Sequence, residues 1–245
     1  MFTTEHFIWL AISIVTIVAS LLLQKKFKLS FNFVLNFMLV VSVVSEVLKI
    51  SCNLLPSPYK DGGMYLDPGD LPFHLCSIQI FLMFALKFFV KAENTKQVLL
   101  GFMAPTQMIG AVIALFVPTV GVNFDNIQVW QYFFFHAFLI SFAIYIVKEK
   151  LVNWKLKNYF YNIGLIGSMA LICMWINSFL SISAQVDGAF RRANFMYLTY
   201  PPMDGLPLLN LDNGWGVYFL TLVILVVGLV GIFHLIVTPK KKKDK

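Results

Sequence analysis

The chain has 245 residues, 59% of them hydrophobic and only 13% charged, with 25 Phe and a formal net charge of +7. That composition lies outside the range of soluble domains and marks an integral membrane protein. The positive charge is dispersed over four separate groups of lysines rather than gathered on one face, which excludes a nucleic-acid surface.

Seven segments reach the roughly 20 apolar residues that a membrane-crossing helix needs: 7–23, 31–55, 71–90, 98–118, 128–147, 159–182 and 215–237. The expected fold is therefore all-α, a polytopic seven-helix bundle occupying residues 1–238 as a single domain, followed by a basic tail, 239–245. The first segment is retained rather than cleaved as a signal peptide, since MFTTEHF before it carries no Lys or Arg. Lysines follow the first, third, fifth and seventh segments, which together hold 15 of the 19 basic residues. By the positive-inside rule the N-terminus faces outward and the C-terminus the cytoplasm, in a multi-pass protein of the plasma membrane.

Polar residues inside the spans carry the functional signal, because hydrocarbon penalises them and they must face protein or water. In the second segment Ser42, Ser45, Glu46, Lys49 and Asn53 recur at helical spacing as one stripe, and Glu46 and Lys49 can pair at i,i+3. The third opens with Asp70 as the expected N-cap and Pro72 in the first turn, which puts Cys76 beyond that turn. His74 and Cys76 are about 200° apart around such a helix, so they are not partners, while Cys76, Gln79 and Met83 share a face. The fifth contributes His136 with Tyr132 one turn above it, and the sixth Cys173, Asn177 and Ser181. At 1.5 Å per residue, Cys76 lies roughly 8 Å, Lys49 roughly 9 Å, His136 roughly 12 Å and Glu46 roughly 13 Å below the outer ends of their helices. Four helices thus place polar atoms at one level, and the inner half of the bundle is expected to hold no comparable layer.

A thiol and an imidazole on separate helices at one depth make chemical sense as a nucleophile and its base, since the thiolate is the reactive form. Cys76 is then the nucleophile and His136 the base. Gln79 or Lys49 would stabilise an oxyanion, and Glu46 either orients His136 or pairs only with Lys49. A competing account makes Cys76 structural, through a disulfide with Cys52 near the outer end of the preceding helix. The long connection before the last span, SAQVDGAFRRANFMYLTYPPMDGLPLLNLDNG, is rich in aromatics and reads as a lid over the polar layer. Its Arg191 and Arg192 can clamp a phosphate or carboxylate. With Asn194 and Tyr197 of the same loop, and with His74, Tyr132 and Asn177, they are the expected substrate contacts.

The stretch LPFHLCSIQIF, followed about 60 residues later by YFFFHAFLI and then by ANFMYLTYPP, LLNLD and NGWGVYF, resembles the YwaF-like bacterial integral membrane proteins, a group similar to the eukaryotic transmembrane protein 164 family. One departure stands out: Tyr200 precedes Pro201 where a basic residue is expected. The resemblance implies a membrane acyltransferase, or a lipid ester hydrolase, that moves a fatty acyl group from a phospholipid through a cysteine thioester, with Cys76 and His136 carrying the chemistry. It implies phospholipid or lysolipid as the partner, and no cofactor or metal. Two other classes fit parts of the pattern: a transporter or receptor-like bundle using Glu46, Lys49 and His136 as a buried binding site, and a haem protein ligated by His74 and His136.

Overall fold

The computed structural model describes residues 2–56, 64–183, 185–186, 189–190, 193–202, 205–206 and 208–239. Within them the chain forms α1 (Thr4–Phe27), α2 (Phe31–Asn53), α3 (Leu75–Phe88), α4 (Glu93–Phe116), α5 (Ile127–Lys148), α6 (Leu156–Ser183) and α7 (Trp215–Val237). Two short antiparallel ribbons ornament the connections, β1 (Leu54–Pro56) with β2 (Met64–Leu66) and β3 (Gln185–Val186) with β4 (Ala189–Phe190). Six of the helices are long and apolar enough to cross a membrane, and their large apolar side chains cover much of the outer surface. The architecture is a polytopic helical bundle.

Helix starts follow from local chemistry. Thr3, Ser30 and Asn126 accept the N–H of His6, Phe33 and Gln128 and so cap α1, α2 and α5. The third helix departs from expectation: it starts at Leu75 and runs only 14 residues, roughly 21 Å. Asp70 does not cap it. Asp70 ends a separate 3-10 turn, Pro68–Asp70, whose cap is Asp67, and its own carboxylate accepts Asn53 Nδ2 at 2.7 Å. Pro72 holds the preceding Leu71 extended (φ −62°, ψ 153°), so the chain enters the bundle as turns and the helix begins deeper.

Cross-helix bonds define the two ends. At one, His6 of α1 reaches the Leu115 carbonyl of α4 (2.8 Å), Trp9 reaches Val122 O (2.9 Å), and Gln128 of α5 donates to Asn53 Oδ1 of α2 (2.9 Å). At the other, Tyr145 of α5 donates to Leu29 O between α1 and α2 (3.2 Å). This second end carries the lysines that follow α1, α3 and α5; the first is the distal end.

The two central helices are α5 and α4, with 67% and 56% of their apolar windows buried, against 17%, 11% and 17% for α1, α6 and α7. Among the described residues α2, α3, α4 and α5 pack as a ring, with α3 touching α2 and α4 and standing diagonally across from α5. The main core gathers Trp9, Phe102, Met103, Phe133 and Phe142, and a second, smaller core of Cys173, Ala193, Phe195 and Leu198 lies where the α6–α7 connection folds back on the bundle.

Pro105 lies inside α4 and offers no N–H to the Gly101 carbonyl one turn earlier. Asn162 of α6 fills that gap, donating Nδ2 to Gly101 O at 2.8 Å. A side-chain donor from a neighbouring helix is how a bundle in lipid resatisfies a carbonyl freed by proline.

Candidate active site at the buried start of α3

Because α3 begins late, Cys76 is its second residue and belongs to the first turn. This corrects the expected placement beyond that turn, and it changes the electrostatics: the thiol now belongs to the turn in which the helix dipole and open N–H groups favour negative charge. His74, the N-cap, makes no side-chain capping bond. The first α3 amide with a carbonyl partner is Ile78, which donates to His74 O at 2.9 Å, so among the described residues the N–H groups of Leu75, Cys76 and Ser77 have no acceptor.

This helix start is partly withdrawn from the surface: Ser77 is buried, and His74, Leu75 and Cys76 are half-buried. A Cβ placed on Gly110 of α4 would lie 3.8 Å from Cys76 Sγ, so thiol and glycine are neighbours. Gly110 precedes the last residue of α4, Phe116, by six positions, roughly 9 Å of helix. Ser77, next to the thiol, donates to Glu46 Oε2 at 2.9 Å. The counted depth of Cys76 therefore survives, although the helix reaching it is shorter.

Around the thiol stand Lys49 of α2, Tyr132 of α5 and Tyr197 of the α6–α7 connection, all within electrostatic range of Cys76. Tyr132 donates to Ala114 O at 2.9 Å, and the Thr119 side chain faces both phenols. Burial, reinforced by the neighbouring thiol, pushes the Tyr197 phenol up to about 12, so it remains a neutral donor. The Tyr132 ring lies 4.3 Å from the His136 ring and Tyr132 also neighbours Cys76, whereas no interaction between His136 and Cys76 themselves is found among the described residues. His136 is buried, and its Nδ1 sits 2.7 Å from the Tyr132 carbonyl. A carbonyl only accepts, so Nδ1 carries the proton and Nε2 keeps its lone pair. That is the tautomer a general base requires.

The polar stripe of α2 is engaged along its length. Ser42 faces Met83 Sδ at 4.0 Å, Ser45 accepts Gln131 Nε2, and Asn53 bridges Asp70 and Gln128. Glu46 Oε1 is 2.5 Å from Lys49 Nζ, while Oε2 takes the Ser77 hydroxyl. Both carboxylate oxygens are thus spent on Lys49 and Ser77 and neither is bonded to His136. Gln79 is likewise committed: its amide nitrogen donates to Leu75 O (3.2 Å) and Thr106 Oγ1 (3.1 Å), and its oxygen accepts Gln107 Nε2 (3.1 Å). With both amide protons in use, Gln79 joins α3 to α4 and has no N–H left for an oxyanion.

The connection ahead of α7 presses residues 193–200 onto the bundle. Asn177 of α6 exchanges two hydrogen bonds with the Phe195 backbone (2.8 and 3.2 Å), and Asn194 holds Thr199 N and Tyr200 O (3.0 and 2.7 Å). Trp215 donates to Leu198 O at 3.0 Å and Tyr218 to Tyr197 O. These bonds hold Met196 and Tyr197 at φ 57° and 54°, a conformation costly for residues with a Cβ. Asn177 and Asn194 therefore fix the loop, and among its described residues Tyr197 lies within electrostatic range of the thiol. His74 donates to the Gly69 carbonyl and lies against Phe195 (5.3 Å) and Tyr197 (5.4 Å), so it also buttresses the loop. Cys52, Cys76 and Cys173 are all free: Cys52 is exposed, and buried Cys173 reaches Phe73 O at 3.8 Å. Arg191 and Arg192 lie outside the described residues. An open cavity of about 530 Å³ lies farther along the loop between Tyr200 and Asp212, without Cys76 or His136 in its lining.

Sequence reasoning missed a second buried polar cluster, at the lysine-rich end, which overturns the expected asymmetry between the two halves. Asn162 donates to Gly101 O and also contacts His234 Nε2 at 2.9 Å; Asn158 is buried beside them, and Trp154 crosses the His234 ring edge-on at 5.2 Å. The readable signal was Pro105, whose i−4 carbonyl had to find a donor on another helix.

A family model, described as the TMEM164 family, matches residues 1–234. Neither a curated protein nor a solved structure matches the chain.

Proposed function

The chain belongs to the TMEM164 family, and on that premise we propose that it is a membrane-embedded cysteine acyltransferase, or lipid ester hydrolase, acting on a phospholipid of the leaflet at the distal end. The observation that carries this reading is the nucleophilic residue itself: Cys76 occupies the first turn of a helix that begins roughly 9 Å inside the bundle with its N–H groups open. An open helix N-terminus favours negative charge. It serves a thiolate and the oxyanion of an ester under attack alike.

The reaction divides into two balanced transfers. His136 Nε2 takes the Cys76 proton through a bridging water, since the two side chains are not in contact in the structure; the thiolate sulfur bonds the ester carbonyl carbon, and the carbonyl oxygen gathers charge against the Leu75, Cys76 and Ser77 amides and the Lys49 ammonium. The acyl carbon–oxygen bond breaks, the lysolipid oxygen leaves with the proton from His136, and the acyl group stays on sulfur as a thioester. An acceptor alcohol, or water, then gives its proton to His136 and attacks the thioester. That proton returns to sulfur as the new ester, or the free acid, departs. Tyr197, a neutral donor beside the thiol, holds the substrate ester oxygen, while Tyr132, whose hydroxyl is spent on Ala114 O, shapes the wall of the site. By the positive-inside count the distal leaflet is the outer one of the plasma membrane.

The test is intact-protein mass spectrometry after incubation with phospholipid vesicles. A hydroxylamine-labile adduct of fatty-acyl mass is expected, absent in Cys76→Ala and slowed at least a hundredfold in His136→Gln, in line with the usual worth of a general base. An adduct that persists in Cys76→Ala, or transport with no adduct in the wild type, overturns the reading.

A further inference from the structure

At the lysine-rich end a cavity of about 240 Å³ opens between the last turns of α1 and α5, lined by Gln24, Lys25, Lys28, Tyr145, Lys148 and Glu149 over a floor that includes Leu29. We propose that this cleft binds the headgroup of an anionic glycerophospholipid, the phosphate being held by the three lysines. The site is remote from Cys76 and independent of any acyl chemistry.

Three ammonium groups face one carboxylate there, leaving the cleft at net +2. Among the described residues the ion pairs are Glu46–Lys49 and Glu93–Lys96, so Lys25, Lys28 and Lys148 have no carboxylate partner. Cations at helix C-termini complement the dipole, which accounts for Lys25 and Lys148 singly. It does not account for three of them converging on one concavity. Lys26 provides the contrast, since it turns away and lies over the Phe27 ring at 5.5 Å.

The backbone is shaped for the cleft. Lys28 adopts φ 47°, ψ 48°, the left-handed region that a residue with a Cβ occupies at a cost, and its N–H closes on Gln24 and Lys25 carbonyls. Leu29 N donates back to Gln24 O at 3.2 Å while Leu29 O accepts the Tyr145 hydroxyl, fixing α1 to α5 at the cleft floor. Position selects a lipid rather than a soluble anion. Helices of 24 and 22 residues span roughly 36 and 33 Å. That exceeds a hydrocarbon core of about 30 Å and leaves their ends at headgroup level. A lysine beside an anionic bilayer surface contributes roughly fivefold in affinity.

The test is native mass spectrometry of the full chain titrated with phosphatidylglycerol, with phosphatidylcholine, and with inorganic phosphate alone. The wild type is expected to retain phosphatidylglycerol preferentially. The triple variant Lys25→Gln, Lys28→Gln, Lys148→Gln should bind it about a hundredfold more weakly, each single variant roughly fivefold more weakly, while replacement by Arg should preserve binding. All three side chains are exposed, so the single variants leave the fold intact and decide the matter if the triple variant is unstable. The proposal is overturned if phosphatidylcholine binds equally well, if inorganic phosphate alone binds as tightly, or if neutralising Lys240 to Lys243 abolishes the preference while the cleft variants keep it.

Discussion

Asn162 is the side chain whose loss has the most readable consequence, because the structure states why it is needed. In Asn162→Leu the Gly101 carbonyl loses its donor and, with Pro105 four residues on, has no backbone N–H to fall back on; His234 Nε2 loses its partner as well. A buried acceptor left unsatisfied costs about 1–3 kcal/mol in water-soluble folds, and interhelical hydrogen bonds in membranes average about 0.6 kcal/mol with a maximum near 1.7. Two such losses place the destabilisation at about 2 kcal/mol. Pro105→Ala restores an N–H aimed at Gly101 O. In that background Asn162→Leu should therefore cost about 1 kcal/mol less, the remainder belonging to His234. The four members of this cycle can be compared by equilibrium unfolding in mixed micelles, where the lost backbone contacts of proline cancel. Effects that add to within about 0.3 kcal/mol would refute the idea that Asn162 substitutes for the proline-deleted donor.

Other outcomes follow from the site. Burial, the leading cause, raises the Asp70 carboxyl above its usual 3.8, so the folded chain holds that proton over a range where the unfolded chain has lost it. Stability should be full below about pH 4 and fall as pH rises through the folded value; Asp70→Asn, which keeps an acceptor for Asn53, should flatten the melting temperature against pH. Lys49→Met leaves the Glu46 carboxylate with Ser77 alone and should lower stability by about 2 kcal/mol, measured in micelles, whereas Glu46→Leu with Lys49→Met should come within about 1 kcal/mol of the wild type. Asn177→Leu orphans the Phe195 N–H and carbonyl; limited proteolysis should then cut within 193–200 at least tenfold faster, and unchanged cleavage would show that other contacts hold the loop.

The α2 stripe was legible because a helix in lipid has no innocent place for Ser42, Ser45, Glu46, Lys49 and Asn53 at one spacing, and each of them has a protein partner. The start of α3 was not. Proline at the first helical position and proline in an extended entry have the same fixed φ, and the pattern of Asp70 followed by Pro72 fits both. What separates them is tertiary: Asp70 is taken by Asn53 and the chain is drawn past the distal surface before its helix can form. Gln79 misled for a related reason, since its position one turn below Cys76 says nothing of where the amide points, and Thr106 and Gln107 lie on another helix. The cluster at Asn162 and His234 joins residues 72 positions apart, a pairing no local pattern encodes.

One energetic asymmetry connects fold and chemistry. The starts of α4 and α7 also lack side-chain caps, after Ala92 and Gly214, but those residues are exposed and water can serve the open amides. The start of α3 is half-buried in the bundle, with Ser77 fully buried and His74 turned toward Gly69. N–H groups left without a protein acceptor at a half-buried helix start oppose stability. Pro72 enforces the late start, and the latched loop of 193–200 closes over it. A sequence selected for stability alone would place Ser or Asp at 74 and cover those amides. On the proposed acyl-transfer reading, open amides beside a thiol, Lys49 and two phenols would be the preorganised partners of developing negative charge.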